Sequence, residues 1–245
     1  MRPVKKGTSP VHGDFAKYED AKTDLVGRLG SYCSYCERRI PTLLAVEHIE
    51  PKKGLWGKPE LEKRWSNFLL ACTNCNSCKG DNRVNLRRLI FPDRDNTFDA
   101  YRYEADGNVH LSSHLTKRQK VMARNTLRLV GLDKPVQIYL DSNDEQVALD
   151  RVAQRMEAFG VAHEALTLFE AEPDSMGLKT SIKRTALATG FFSIWMKVFE
   201  TIPEMKLIFI QSFAGTELSG CFDMGSGNVL TPAPNPDGMD LGGKI

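Results

Sequence analysis

Two Cys-x-x-Cys pairs, Cys33/Cys36 and Cys72/Cys75, most constrain how this chain can fold. Four thiolates at about 2.3 Å satisfy tetrahedral zinc, and two knuckles with two-residue spacers suit that geometry. A metal held there closes a loop of roughly 40 residues and fixes the path of everything inside it. The loop contains Glu47-His48-Ile49-Glu50-Pro51, and the second knuckle is followed by Asn76 and Lys79-Gly80. A carboxylate, an imidazole and an amide therefore converge beside a soft metal site.

The remaining sequence bounds the setting. A length of 245 residues, 41% hydrophobic and 26% charged, suits one large domain or two small ones. No apolar stretch reaches the roughly 18 residues of a membrane span. The segment Met1-Arg2-Pro3-Val4-Lys5-Lys6 has charge but no apolar core behind it, unlike a secretory signal. A cytoplasmic protein with no membrane partner is expected, with reduced cysteines, so the pairs read as metal or redox sites. Cys78 and Cys221 read as buried apolar thiols. Net charge is only +2, yet residues 28–89 hold twelve Lys or Arg against six Asp or Glu. Arg38, Arg39, Lys52, Lys53, Lys79 and Arg83 are the expected nucleic-acid contacts around the motif.

Four segments are expected: an arm and helix over 1–30, the cysteine module with a hairpin and helix over 31–133, a helical part over 134–214, and a Gly/Pro-rich tail over 215–245. Tyr18, Ala21, Leu25 and Leu29 predict a helix over 15–29, stopped by Gly30. Residues 56–64 read as a loop with a short helix. Residues 98–112 read as a β-hairpin, with Tyr101 and Tyr103 on one side, Val109 and Leu111 on the other, and Asp106-Gly107-Asn108 at the turn. Thr116-x-x-Gln119 resembles a capping box opening a helix that Gly131 stops. The break is placed at 133–135. Helices are expected over 147–160 and, from Leu187, Phe191, Ile194, Trp195 and Val198, over 181–200. Residues 205–213 read as either helix or buried strand. Prolines 232, 234 and 236 bar regular structure, so the tail reads as a free end or as a segment laid on a partner, covering Phe222, Met224, Val229 and Leu230.

Phosphodiester hydrolysis needs a nucleophile made from water and a cation to neutralise charge on the leaving oxygen. His48 has the intrinsic pKa of a general base near neutrality. Glu47 and Asn76 offer hard oxygen ligands that suit Mg²⁺ or Mn²⁺ better than zinc. Adjacent strand residues face opposite ways, so Glu47 and His48 share a site only at a strand end or bulge. Lys79, three residues after Asn76, shares its helix face and is expected to meet a phosphate. A plain zinc ribbon that only binds nucleic acid or a partner would need the cysteines alone.

These residues resemble the HNH endonuclease family, on Cys33/Cys36, Glu47-His48-Ile49-Glu50-Pro51, Asn67 and Cys72-x-x-Cys75-Asn76-x-x-Lys79. The resemblance implies an α+β protein: a ββα-metal core stapled by a structural zinc, with flanking helices, a hairpin and a mainly helical C-terminal part. It implies that Glu47 and Asn76 bind the catalytic cation, that His48 activates water, and that Asn67 holds the loop orienting His48. The last motif residue is often His in the family; Asn76 here favours Mg²⁺ or Mn²⁺ over zinc or nickel.

Leu29 to Ile40, Leu44 to Ile49, Trp65 to Cys72, Phe91 to Phe98 and Val130 to Asp133 further resemble the HNH subunit of Septu-type anti-phage systems, a type also found in some retron systems. That implies an ABC-like ATPase partner restraining a toxic nuclease. DNA is the favoured substrate, with RNA such as tRNA the alternative at the same site.

Overall fold

A cysteine-capped ββα unit sits at the centre of the computed structural model, which describes residues 1–134, 138–140, 146–148, 151–232 and 234–245. Strand β1 (Ala45–His48) pairs antiparallel with β2 (Phe68–Ala71), placing Ala45 opposite Ala71 and His48 opposite Phe68. All four β2 residues are buried, so the strand reads as an unbroken apolar run. Helix α2 (Thr73–Lys79) follows at once, its first turn capped by Cys72 Sγ, which accepts the Cys75 N–H at 3.4 Å. The second knuckle is therefore also a helix start.

Helix α1 (Lys22–Leu29) is shorter than expected: residues 18–21 form a 3₁₀ turn, and Phe15 packs separately against Trp65 at 6.0 Å. The arm before it is extended, but its inner half belongs to the core, with Met1, Arg2, Val4 and Lys6 buried. Lys6 Nζ reaches Asp93 at 2.8 Å and the carbonyls of Phe68 and Ser66 at 2.8 and 3.2 Å, tying the arm to β2. Burial pushes the Asp93 carboxyl up, but Lys6 and Arg94 outweigh it and hold the pKa down to about 2. Asp93→Asn would leave the buried Lys6 ammonium without its ion-pair partner. A loss of roughly 3–5 kcal/mol is expected, read as a lower midpoint in urea unfolding at neutral pH.

Helix α3 (Thr97–Ala100) takes Phe98 out of the expected hairpin, which is limited to β3 (Tyr101–Tyr103) and β4 (Val109–Leu111). The register sets Tyr101 opposite Leu111 and Tyr103 opposite Val109. All four side chains thus share one face, which corrects the two-sided expectation. Helix α4 (Lys117–Leu129) has the full Thr116–Gln119 capping box and ends before Gly131.

Strands β5 (Ile138–Leu140) and β6 (Gln146–Ala148) pair antiparallel. Residues 147–148 are therefore strand rather than the start of the expected 147–160 helix. Helix α5 (Arg151–Ala171) runs past Gly160, a site with open space around it. The expected 181–200 helix is two helices, α6 (Met176–Thr189) and α7 (Phe192–Val198). The break belongs to the first knuckle. A Cβ on Gly190 would lie 2.7 Å from Arg39 N and Glu37 O, and Phe191 takes a positive φ of 55° to donate its N–H to that Glu37 carbonyl. The Glu37 carboxylate then accepts the Ser193 N–H and Oγ–H at 2.7 and 2.6 Å. Apolar periodicity spans both halves because both pack inward, so it hides the break. Residues 203–212 settle as helix α8 (Pro203–Ser212).

The tail from Gly215 is laid on this chain itself. Asp237 accepts the N–H groups of Lys6 and Gly7 at 3.1 and 2.8 Å, and Lys244 Nζ pairs with Asp95 at 3.2 Å. Phe222 bridges to Val229, and Ile245 is buried. One apolar core draws on Leu29, Phe68, Leu127, Trp195, Phe213 and Ile245, and so spans the four expected segments; Pro135, in the expected break, and Ala233, in the tail, lie outside the described residues. The architecture is α+β. No helix among the described residues is long and apolar enough to cross a membrane.

Candidate active site and metal centre

The four knuckle thiols converge. The Sγ atoms of Cys33, Cys36, Cys72 and Cys75 all lie within 4.8 Å of one another, and Cys36 to Cys72 is 3.7 Å. All four residues are buried. Burial pushes the Cys33 thiol up, whereas Cys72, facing the thiols of Cys33, Cys36 and Cys75, is driven far down. Four buried sulfurs of this kind fit a thiolate-binding cation, and tetrahedral zinc is the natural match. Cys78 stays outside the cluster. Arg151 Nη1 donates to Cys75 Sγ at 3.2 Å and to the Val130 carbonyl at 2.9 Å, so α5 also touches the knuckle.

A cavity of about 420 Å³ opens beside the cluster, where β1 ends. Glu47, His48, Asn76 and Lys79 line it together with Lys52 and Lys53. At the strand end the alternation no longer separates them, and both neighbours line one cavity. Glu47 is buried; its Oε1 accepts from Lys79 Nζ at 2.9 Å and from Tyr35 at 3.5 Å. Burial raises the Glu47 pKa, against the pull of Lys79. Lys79 is itself buried, and its Nζ also donates to the His48 carbonyl at 2.6 Å. This corrects its expected role as a phosphate contact: the spacing from Asn76 is right, but the ammonium is locked onto β1.

The His48 ring stands edge-on to Tyr18 and Phe68, with centroids 4.8 and 5.3 Å away. Its Nε2 lies 2.8 Å from the Glu62 carbonyl oxygen. A carbonyl only accepts, so Nε2 carries the proton and Nδ1 keeps the lone pair. Burial lowers the imidazole pKa while the Glu62 carbonyl opposes the shift, which leaves His48 neutral near pH 7. Asn67 fastens the intervening loop: Oδ1 accepts the Glu50 N–H at 2.8 Å, and Nδ2 donates to the Glu50 and Leu61 carbonyls at 2.9 and 3.3 Å. Asn67→Ala would orphan three buried or half-buried backbone groups. It is expected to speed hydrogen exchange at the Glu50 amide and to lower cleavage roughly tenfold or more by loosening His48.

The basic residues divide. Lys52 and Lys53 line the cavity, Lys52 Nζ lying 3.5 Å from the Tyr18 ring centroid. Arg83 stacks over Trp56 at 4.7 Å, beyond the cavity rim. Arg38 instead bonds Gln154 Oε1 at 2.9 Å on the side of the knuckle facing Gly190, and neither it nor Arg39 lines the cavity. Two lining residues are not evident from the sequence: Tyr18, whose spacing marks only a helix face, and Asp81, which follows Gly80 into the cavity wall. Nor is the Glu62 backbone carbonyl, for which residue identity gives no signal.

A soft thiol clip, a hard-donor cavity and an oriented histidine on a ββα scaffold define a class of metal-dependent nucleases. Residues 33–82 match the HNH endonuclease family, and the chain carries that family's nuclease domain. It is also 27% identical over 144 residues to the "Retron Vc95 putative HNH endonuclease" of Vibrio cholerae serotype O1 biovar El Tor, an overlap covering 53% of this chain and 68% of the relative.

Proposed function

We propose that this protein hydrolyses phosphodiester bonds of DNA with His48 as general base. The observation that carries the proposal is the Glu62 carbonyl on Nε2, which leaves Nδ1 unprotonated on a ring that lines the same cavity as Glu47 and Asn76. Nδ1 takes a proton from the attacking water. The Glu47 carboxylate and Asn76 amide are hard donors, and the Lys79 and Tyr35 contacts of Glu47 both fall on Oε1. That set suits a cation that keeps several waters. Mg²⁺ or Mn²⁺ bound there supplies charge neutralisation at the phosphate and the leaving oxygen. Lys79 positions Glu47 and the end of β1, and Asn67 holds the loop that carries His48.

The role in an ATPase-regulated anti-phage complex rests on the resemblance of the flanking segments and on the retron association in the relative's name. Incubation with plasmid DNA and total tRNA, with and without Mg²⁺, tests the enzymatic reading. Mg²⁺-dependent nicking of DNA is expected; cleavage of tRNA alone would reassign the substrate, and cleavage of neither, even with the ATPase present, would overturn the proposal.

A further inference from the structure

The turn after α2 leads out of the catalytic cavity into a second depression. Asp81 lines the first, and its neighbour Asn82 lines the second, a groove of about 610 Å³ walled by Arg83, Arg88, Asn125 and Arg128. Three cations from three places meet here: the post-α2 turn, the short 3₁₀ turn at Leu86–Arg88, and α4. Helix α4 also carries Lys117, Arg118, Lys120 and Arg124 and has no carboxylate. Asn125 Nδ2 donates to the Arg88 carbonyl at 3.2 Å, fixing the two walls together. One acid touches the wall cations among the described residues: Asp133, 3.8 Å from Arg128 Nε, with both side chains exposed. Such a pair is weak and readily exchanged. The Arg88 side chain has no ion pair with the described residues. Arg83 lies over the half-exposed Trp56, on the same loop as Lys52 and Lys53, so basic residues stand on both sides of the step from one depression to the other.

We infer that this groove binds the phosphodiester backbone of the nucleic acid as it leaves the cavity, with Arg83, Arg88 and Arg128 as the phosphate contacts. The inference rests on the nuclease reading for its direction, and it places the nucleic-acid path along α4 rather than over Arg38 and Arg39. Guanidinium groups suit phosphate, and a contact of this kind carries no base information.

The test is binding of a labelled DNA duplex and a labelled RNA stem-loop by full-length protein carrying His48→Ala, followed by fluorescence anisotropy across salt. Adding Arg88→Ala and Arg128→Ala is expected to weaken binding at least tenfold and to flatten the log K against log[salt] slope by about two. Arg88→Lys with Arg128→Lys is expected to keep most of the slope. A charge-matched control, Arg102→Ala with Arg184→Ala, is expected to change it little. The arm that responds, DNA or RNA, identifies the polymer. An unchanged slope, or one no flatter than the control's, overturns the groove assignment, as does an absence of binding to either polymer. Metal content and melting temperature of each variant show that it is folded. Cleavage is scored separately in the His48 background: a wild-type protein that binds through the groove but never cuts would sink the nuclease reading and leave the groove standing.

Discussion

Cys72→Ser is expected to yield a protein that neither holds zinc nor folds. Cys72 contributes one of four sulfurs packed within 4.8 Å, and its Sγ also caps the first turn of α2. The clip joins the first knuckle, stitched through Glu37 to the start of α7, to the second knuckle, from which α2 begins. Structural zinc in small domains is worth about 10–16 kcal/mol, against about 5–15 kcal/mol for the whole stability of a domain. Without the ion, nothing covalent joins the two knuckles across the loop between them. Cys78→Ser, outside the cluster, is expected to keep the metal. Metal analysis and a thermal melt check both: one zinc per chain and a cooperative melt for wild type and Cys78→Ser, neither for Cys72→Ser. A Cys72→Ser protein that melts like wild type would refute the structural role of the site.

His48→Ala is expected to lower cleavage by about 10²–10⁴-fold, the usual contribution of a positioned general base, while the fold and zinc persist. The ring lines the cavity and packs against Tyr18 and Phe68, and it lies outside the cluster of four cysteines that holds the zinc. Glu62→Ala is expected to leave the rate nearly unchanged, because the group holding Nε2 is the Glu62 carbonyl rather than its carboxylate. The carboxylate pairs with Lys52 instead, at 3.1 Å. This contrast separates orientation by the backbone from general electrostatics: a Glu62→Ala loss as large as that of His48→Ala would argue for a carboxylate role.

The parts of the site legible in the sequence are those in which side-chain chemistry and short spacing suffice. The cysteine pairs, the Glu47–His48 step and Asn67 announce themselves by residue type, and the Thr116–Gln119 box by a three-residue interval. Lys79 shows the limit. Helical spacing places it beside Asn76, but only the packing of α2 under β1 reveals that its ammonium is buried on Glu47. The α6–α7 break is hidden because Leu187, Phe191 and Trp195 keep an apolar rhythm through it, while the backbone that Gly190 presses on, at Glu37 and Arg39, lies some 150 residues away in sequence. The course of the tail is equally silent in sequence: its Gly and Pro content excludes regular elements but says nothing of Asp237 reaching the N–H groups of Lys6 and Gly7. Long-range backbone partners leave no local pattern.

One cavity, lined by Glu47, His48 and Asn76, is proposed to cut nucleic acid. Single-turnover cleavage of plasmid DNA in Mg²⁺, by wild type and His48→Ala preparations of equal zinc content, tests it most directly. A rate at least 100-fold lower is expected in the variant; equal rates would remove His48 from the reaction.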